Sequence, residues 1–209
     1  MARDSGRNSE RSRPEGARRL LLAMLERDQV VREDLVRCGT LFESYDRRME
    51  EVHLENAAGL EAILSRHGWP DAERFGADGQ TAAWTILMHS ISRPDLMRRG
   101  RELLAASVEA GSTPRHLLAR LEDRIQTLEG EPQTYGTILD WDEEGVLRCL
   151  PIRDEDTVDA RRAAVGLPPL DEDLARRRLA ARTSGEVPPA DPSRKAREYE
   201  EWLRRTGWR

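Results

Sequence analysis

The sequence is poor in the features that fix a fold covalently or name a reaction. Its 209 residues hold two cysteines, Cys38 and Cys149, far apart and in no C-x-x-C spacing. That excludes a disulfide framework or a zinc ribbon. Aromatic residues make up 5% and the hydrophobic set 38%, with a mean hydropathy of −0.72. The core is therefore small relative to the polar surface, or part of the chain lies outside it. No run approaches the roughly 18 apolar residues that span a bilayer. The apolar patch at 20–25 is cut off by Glu26 and Arg27, too soon for a signal segment, so a cytoplasmic protein with no membrane partner is expected. There is no excess of positive charge: 34 basic against 39 acidic side chains leave −5. A generic nucleic-acid binder needs a basic surface. The clusters Arg98-Arg99-Arg101 and Arg176-Arg177-Arg178 are interspersed with acids, so that class is disfavoured. The sequence also lacks a P-loop, a G-x-G-x-x-G, a G-x-S-x-G elbow and an H-E-x-x-H, and no cofactor is expected.

What is present is helical periodicity. Residues 1–13 are polar and aperiodic and are expected to be disordered. From Pro14, apolar residues recur at three- and four-residue steps, with Gly39 dividing two helices and Gly68 ending the second. A loop is expected over 69–79. Helices follow over 80–90, from Pro94 to near Gly111, and from a Thr113 N-cap to Leu128. TYGTILDW and GVLRCLPI flank Asp142-Glu143-Glu144-Gly145 and read as a β-hairpin at about 134–152. The expected architecture is mainly α: one domain over 14–182, a helical bundle with a single hairpin packed against it. A linker over 183–193 then leads to a helical C-terminal extension, 194–209.

The helix over 80–90 is the most informative segment. At 100° per residue Trp84, Leu87, Met88 and Ile91 form one stripe, and Ala82, Ile86 and His89 lie opposite it. A helix apolar on two sides is buried, which makes His89 the polar member of a buried face. Such a histidine is a satisfied core residue, a general base on a pocket wall, or a metal ligand. His53 and Asn56 share a face with Leu60 and Leu64, and Glu50 stands one turn before His53. That set is an acid–histidine–amide group or a polar interhelical contact. The four histidines are scattered and no strong metal spacing is present, so no metal is expected, with a site assembled from His53, His89 and carboxylates as the minor alternative.

In the helix that follows, Leu117, Leu121, Ile125 and Leu128 form the core stripe. Arg124 lies on its edge and needs an acidic side chain, carbonyl oxygens or an anionic ligand as a partner. Asp123 faces away from the stripe and is solvated unless another element, such as the hairpin, covers it. Gln133 and Tyr135 stand beside Gly136 at the joint with the hairpin. The tyrosine either plugs that joint or offers its hydroxyl to a ligand.

ENAAGLEAILSRHGWP, AAWTILMHS, LARLEDRIQTLEGEPQTYGT and PIRDEDTVDARRAAVGLPPL together resemble a widespread bacterial family known as domain of unknown function 6624. The resemblance covers about 56–170. Its most specific pieces are Gly68-Trp69-Pro70, His89, Asp123-Arg124, Gln133-x-Tyr135-Gly136-Thr137 and Asp159-x-Arg161-Arg162. The family usually reads Q-H-A-D where this chain has Met88-His89-Ser90-Ile91. It carries an aspartate three residues before Asn56, where His53 stands here. The family supplies no reaction, but the resemblance moves Asp123 and Tyr135 up among the candidates.

Two functions of different class follow. One is a small cytoplasmic enzyme with a single acid/base pocket for a small anionic or polar substrate. In it His89, Tyr135 and Asp123 are catalytic, and Arg124, Gln133, Trp84, Asn56 and His53 bind substrate. The other is a non-catalytic interaction module. There the same polar residues form a structural network, and Phe42, Tyr45, Trp202 and Trp208 meet a partner, including a second copy through the N-terminal helices.

Overall fold

The structure is a computed structural model that describes residues 13–209. The tail expected over 1–13 lies outside the described residues, Arg13 excepted. Among the described residues the order is α1 (Pro14–Arg37), α2 (Arg47–His67), α3 (Ala72–His89), α4 (Pro94–Glu109), α5 (Arg115–Glu129), β1 (Leu139–Trp141), β2 (Leu147–Cys149), a short 3-10 turn (Glu155–Thr157), α6 (Val158–Ala164), α7 (Leu170–Ser184) and α8 (Pro192–Thr206). This is the expected mainly helical class with one hairpin and a helical C-terminal region. Among the described residues no helix is long and apolar enough to cross a membrane. The chain divides into two compact units. Unit 1 comprises the chain up to Val30 with Glu51–Thr113, and unit 2 comprises Val31–Glu50 with Pro114–Arg209.

Unit 1 is built on close helix contacts. Leu21, Met24, Leu60, Leu64, Phe75, Ile86, Leu87, Met97 and Leu104 are buried in it. Two glycines set the spacing. A Cβ on Gly59 would lie 2.6 Å from Met24 Sδ, and one on Gly100 would lie 2.6 Å from the Leu87 methyls. Helix α3 starts at Ala72, not near residue 80. Asp71 caps it by accepting from Arg74 N (3.0 Å), and the Arg74 guanidinium in turn donates to Asp71 and to the carbonyls of His67 and Trp69. Gly76, at φ 73° and ψ 160°, is non-helical and divides Ala72–His89 into two helical segments that meet at a kink. Glycine reaches that φ without a Cβ clash, so the loop expected over 69–79 is reduced to a break at Gly76 with helix on both sides of it. Thr113 is not the cap of the next helix. Its hydroxyl accepts from Gln80 (3.0 Å) and pairs with the Ser107 hydroxyl (2.7 Å), and α5 starts beyond Pro114.

Unit 2 holds the hairpin. Its antiparallel register pairs Leu139 with Cys149, Asp140 with Arg148, and Trp141 with Leu147. A hairpin alone is marginal in water. Here Arg178 of α7 donates to the Leu147 carbonyl (2.9 Å), and Phe42 packs edge-on to Trp141. Helix α8 is part of this unit. Trp202 is buried, stacks on Tyr199, meets Tyr45 edge-on and donates its indole N–H to Glu50 (3.2 Å). Trp208 is buried too. The tryptophans read as partner contacts are thus filled positions within unit 2.

Candidate active site

Three helices of unit 1 converge on one carboxylate. Asp28 stands on α1 on the same stripe as Leu21, Met24 and Leu35, and it is 1% exposed. Its Oδ2 lies 2.8 Å from His89 Nδ1, at the end of α3, and 3.2 Å from His53 Nε2, on α2. The two imidazole centroids are 4.9 Å apart. Burial alone would push the Asp28 carboxyl up. The hydrogen bonds and charges of His53 and His89 outweigh that and hold it well below the usual carboxylate range. An ionised Asp28 only accepts, so His89 carries its proton on Nδ1 and turns Nε2 into the basic nitrogen. The His89 side chain is 31% exposed, against 8% for His53. His89 makes no other hydrogen bond among the described residues. Asp28 Oδ1 is buried and has no hydrogen-bond partner among them.

Asn56, next to His53 on the buried face of α2, donates to the Met24 carbonyl (3.0 Å) and so ties α2 to α1. Trp84 is half-buried on α3. Glu50, read as the acid of this group, accepts from Trp202 and Arg205 within unit 2.

The other sequence candidates fall in unit 2 and are used locally. Asp123 is 0% exposed. Its Oδ1 accepts from the backbone N–H of Thr134 (2.8 Å) and Tyr135 (2.9 Å), and its Oδ2 from the N–H and hydroxyl of Thr137 (both 2.9 Å). The loop before the hairpin is what covers the side of α5 that periodicity leaves to solvent. Gln133 is as fully occupied: its amide donates to the carbonyls of Ile138 (3.0 Å) and Leu150 (2.9 Å), and its oxygen accepts from Ile138 N (2.6 Å). Tyr135 is half-buried, and burial and the charges of Glu122 and Asp123 push its hydroxyl up. Its carbonyl accepts from Arg162 (2.6 Å). Arg124 Nε is buried without a hydrogen-bond partner among the described residues, and burial pushes its pKa down. A cleft of ≈ 360 Å³ in the same unit is lined by Tyr45, Lys195, Tyr199, Trp202 and Arg205. Its cations are already matched, Lys195 with Asp140 and Arg205 with Glu50.

Asp123 therefore holds a loop. Asp123→Ala would strand the backbone N–H groups of Tyr135 and Thr137 and the Thr137 hydroxyl, while the Thr134 N–H keeps Gln126 Oε1 (3.0 Å). Each orphaned donor costs about 1–3 kcal/mol, partly relieved where water enters, so a loss of at least about 2 kcal/mol is expected in urea unfolding. A loss under about 0.5 kcal/mol would show that the loop finds other acceptors.

The structure brings His53 and His89 together as the sequence allowed, but their shared acid, Asp28, was missed. A signal was there. Leu21, Met24, Asp28 and Leu35 are spaced by three, four and seven, so the acid sits on an otherwise apolar stripe.

Residues 15–182 match the model of a family of unknown function, DUF6624, and the chain belongs to that family. No curated protein matches, and no solved structure does.

Proposed function

We propose that this protein is a small enzyme with a single acid/base centre, Asp28–His53–His89, which activates water or a hydroxyl group against a small polar substrate. The observation that carries the reading is the one-third-exposed His89 ring held through Nδ1 by a buried, ionised carboxylate at 2.8 Å. A carboxylate that orients an imidazole and stabilises its protonated form is how a histidine is made into an efficient general base. His53 shares the same oxygen and stiffens the pair. Hydrolysis is the reaction favoured, because a base and water are all it requires of this centre. Asp123 and Gln133 have every oxygen engaged and are assigned to the loop rather than to chemistry. Arg124 and Tyr135 belong to the other unit and carry no part in this reading.

The test is a screen of small chromogenic esters, phosphoesters and amides, with His89→Ala run beside the wild type. Turnover that disappears in the variant while its melting temperature stays within a few degrees supports the reading. A variant that unfolds makes His89 a structural residue instead.

A further inference from the structure

We infer that Asp28, His53 and His89 form a binding site for one divalent transition-metal ion, zinc above all. The inference rests on the choice of centre made above and gives it a metal-bound state, in which the ion takes over from the His89 imidazole the activation of water. One ligand atom from each residue lies within 4.8 Å of the others. With ligands at about 2.1 Å, the edges of a tetrahedron around zinc are about 3.4 Å. The observed Oδ2–Nε2 and Oδ2–Nδ1 separations, 3.2 and 2.8 Å, are each within about 0.6 Å of that edge. The third edge, between the two imidazole nitrogens, is within 4.8 Å, so seating an ion requires the rings to turn toward each other.

A second observation points the same way. Asp28 Oδ1 is buried and has no hydrogen-bond partner among the described residues, whereas both imidazoles crowd onto Oδ2. Buried carboxylate oxygens are normally satisfied, and a cation bound by the Asp28 carboxylate through both oxygens supplies what Oδ1 lacks. The donor set chooses the ion: two imidazoles and one carboxylate suit zinc, cobalt(II) or iron(II), while calcium and magnesium prefer all-oxygen cages. Three protein ligands leave a fourth position open, the pattern of catalytic rather than structural zinc.

With the ion in place, His53 binds through Nε2 and His89 through Nδ1, so their remaining protons sit on Nδ1 and Nε2 respectively. Bound water then releases its proton to solvent and becomes the nucleophile. It forms the new bond to the carbonyl or phosphoryl centre as the leaving group departs with the electrons of the broken bond and takes up a proton. The ligands come from three separate helices, which is why no compact spacing in the sequence betrays them.

The experiment uses the full chain, stripped with chelator and titrated with zinc chloride by calorimetry, then with cobalt(II) followed by its visible spectrum. One equivalent of zinc is expected to bind at about micromolar Kd or tighter. Cobalt should give the intense bands of a four-coordinate nitrogen–oxygen site, and zinc should raise the melting temperature. His89→Ala, at a partly exposed position, and His53→Gln should each weaken binding by at least about a hundredfold, since loss of a mere outer-shell partner of a ligand already costs about 10–100-fold. His67→Ala and His116→Ala, elsewhere in the chain, should leave it unchanged. Absence of binding to the folded wild type, or binding that survives both ligand variants, overturns the inference. Chelator-resistant turnover would then leave the acid/base enzyme standing on His89 alone, so the two readings fail separately.

Discussion

His89→Ala is expected to lower turnover by about 10²–10⁴, the usual worth of a positioned general base. The loss should fall on kcat, because an alanine there removes the proton acceptor and not a surface that holds the substrate. Asp28→Asn should produce a loss of the same order by a different route. It keeps the shape of the side chain, but its NH₂ now competes for the oxygen's place opposite His89 Nδ1. An amide nitrogen opposite that position favours the other tautomer, with the proton on Nε2, where the base should be. His53→Gln should cost less if His53 acts only by steadying Asp28, and as much if all three hold an ion. The variants are not additive, because all three residues act through one carboxylate. Equal turnover in Asp28→Asn and wild type would remove Asp28 from the chemistry.

Arg162→Met carries the largest expected effect on stability. Arg162 is 0% exposed, and its guanidinium is shared out completely: Nε donates to the Pro168 carbonyl (2.7 Å), Nη1 to that of Tyr135 (2.6 Å) and Nη2 to Asp173 (2.8 Å). Removing it orphans two part-buried carbonyls and half of a buried carboxylate. Breaking such a pair from one side costs about 3–5 kcal/mol. In a chain of this size that lowers the melting temperature by on the order of 10 °C. Asp173 retains Arg176 on its other oxygen (2.5 Å), with Arg120 and Arg177 nearby at 3.7 and 3.6 Å, which keeps the loss from running higher. The check is urea unfolding of Arg162→Met beside Arg162→Met/Asp173→Leu. The double variant should recover part of the loss, since a buried pair replaced by apolar groups is often neutral. A single variant that unfolds less than about 1 kcal/mol earlier would mean the guanidinium is not the clasp of this unit.

The helices of the bundle were legible because their apolar residues repeat at helical spacing and their ends carry glycine at positive φ, as at Gly39, Gly68 and Gly130. The hairpin was legible from its turn. What periodicity could not show was which polar residues another element would cover. Asp123 has no core duty on α5 alone; its burial is created by a loop eleven to fourteen residues further on. Arg162 stands beside Arg161 on a short helix, yet Arg161 is partly exposed and donates to the carbonyls of Thr134 and Arg153, while Arg162 is sealed in. The loop reading of 69–79 failed over Ala72–Phe75, which the Asp71 cap and the burial of Phe75 hold helical, and it held at Gly76, whose positive φ interrupts the helix. The family pattern singled out Asp123, Gln133, Tyr135 and Arg162, and the structure gives all four a place in building one loop. It does so without Asp28, the residue on which the proposed chemistry turns.

The most direct test of the account is the tautomer of His89. Nitrogen-15 NMR of the metal-free protein at neutral pH reads the protonation of each ring nitrogen separately. The account predicts a proton fixed on Nδ1 and a bare Nε2 in the wild type, with that preference lost in Asp28→Asn. A His89 protonated on Nε2, or one that averages between tautomers as a solvated histidine does, would contradict it.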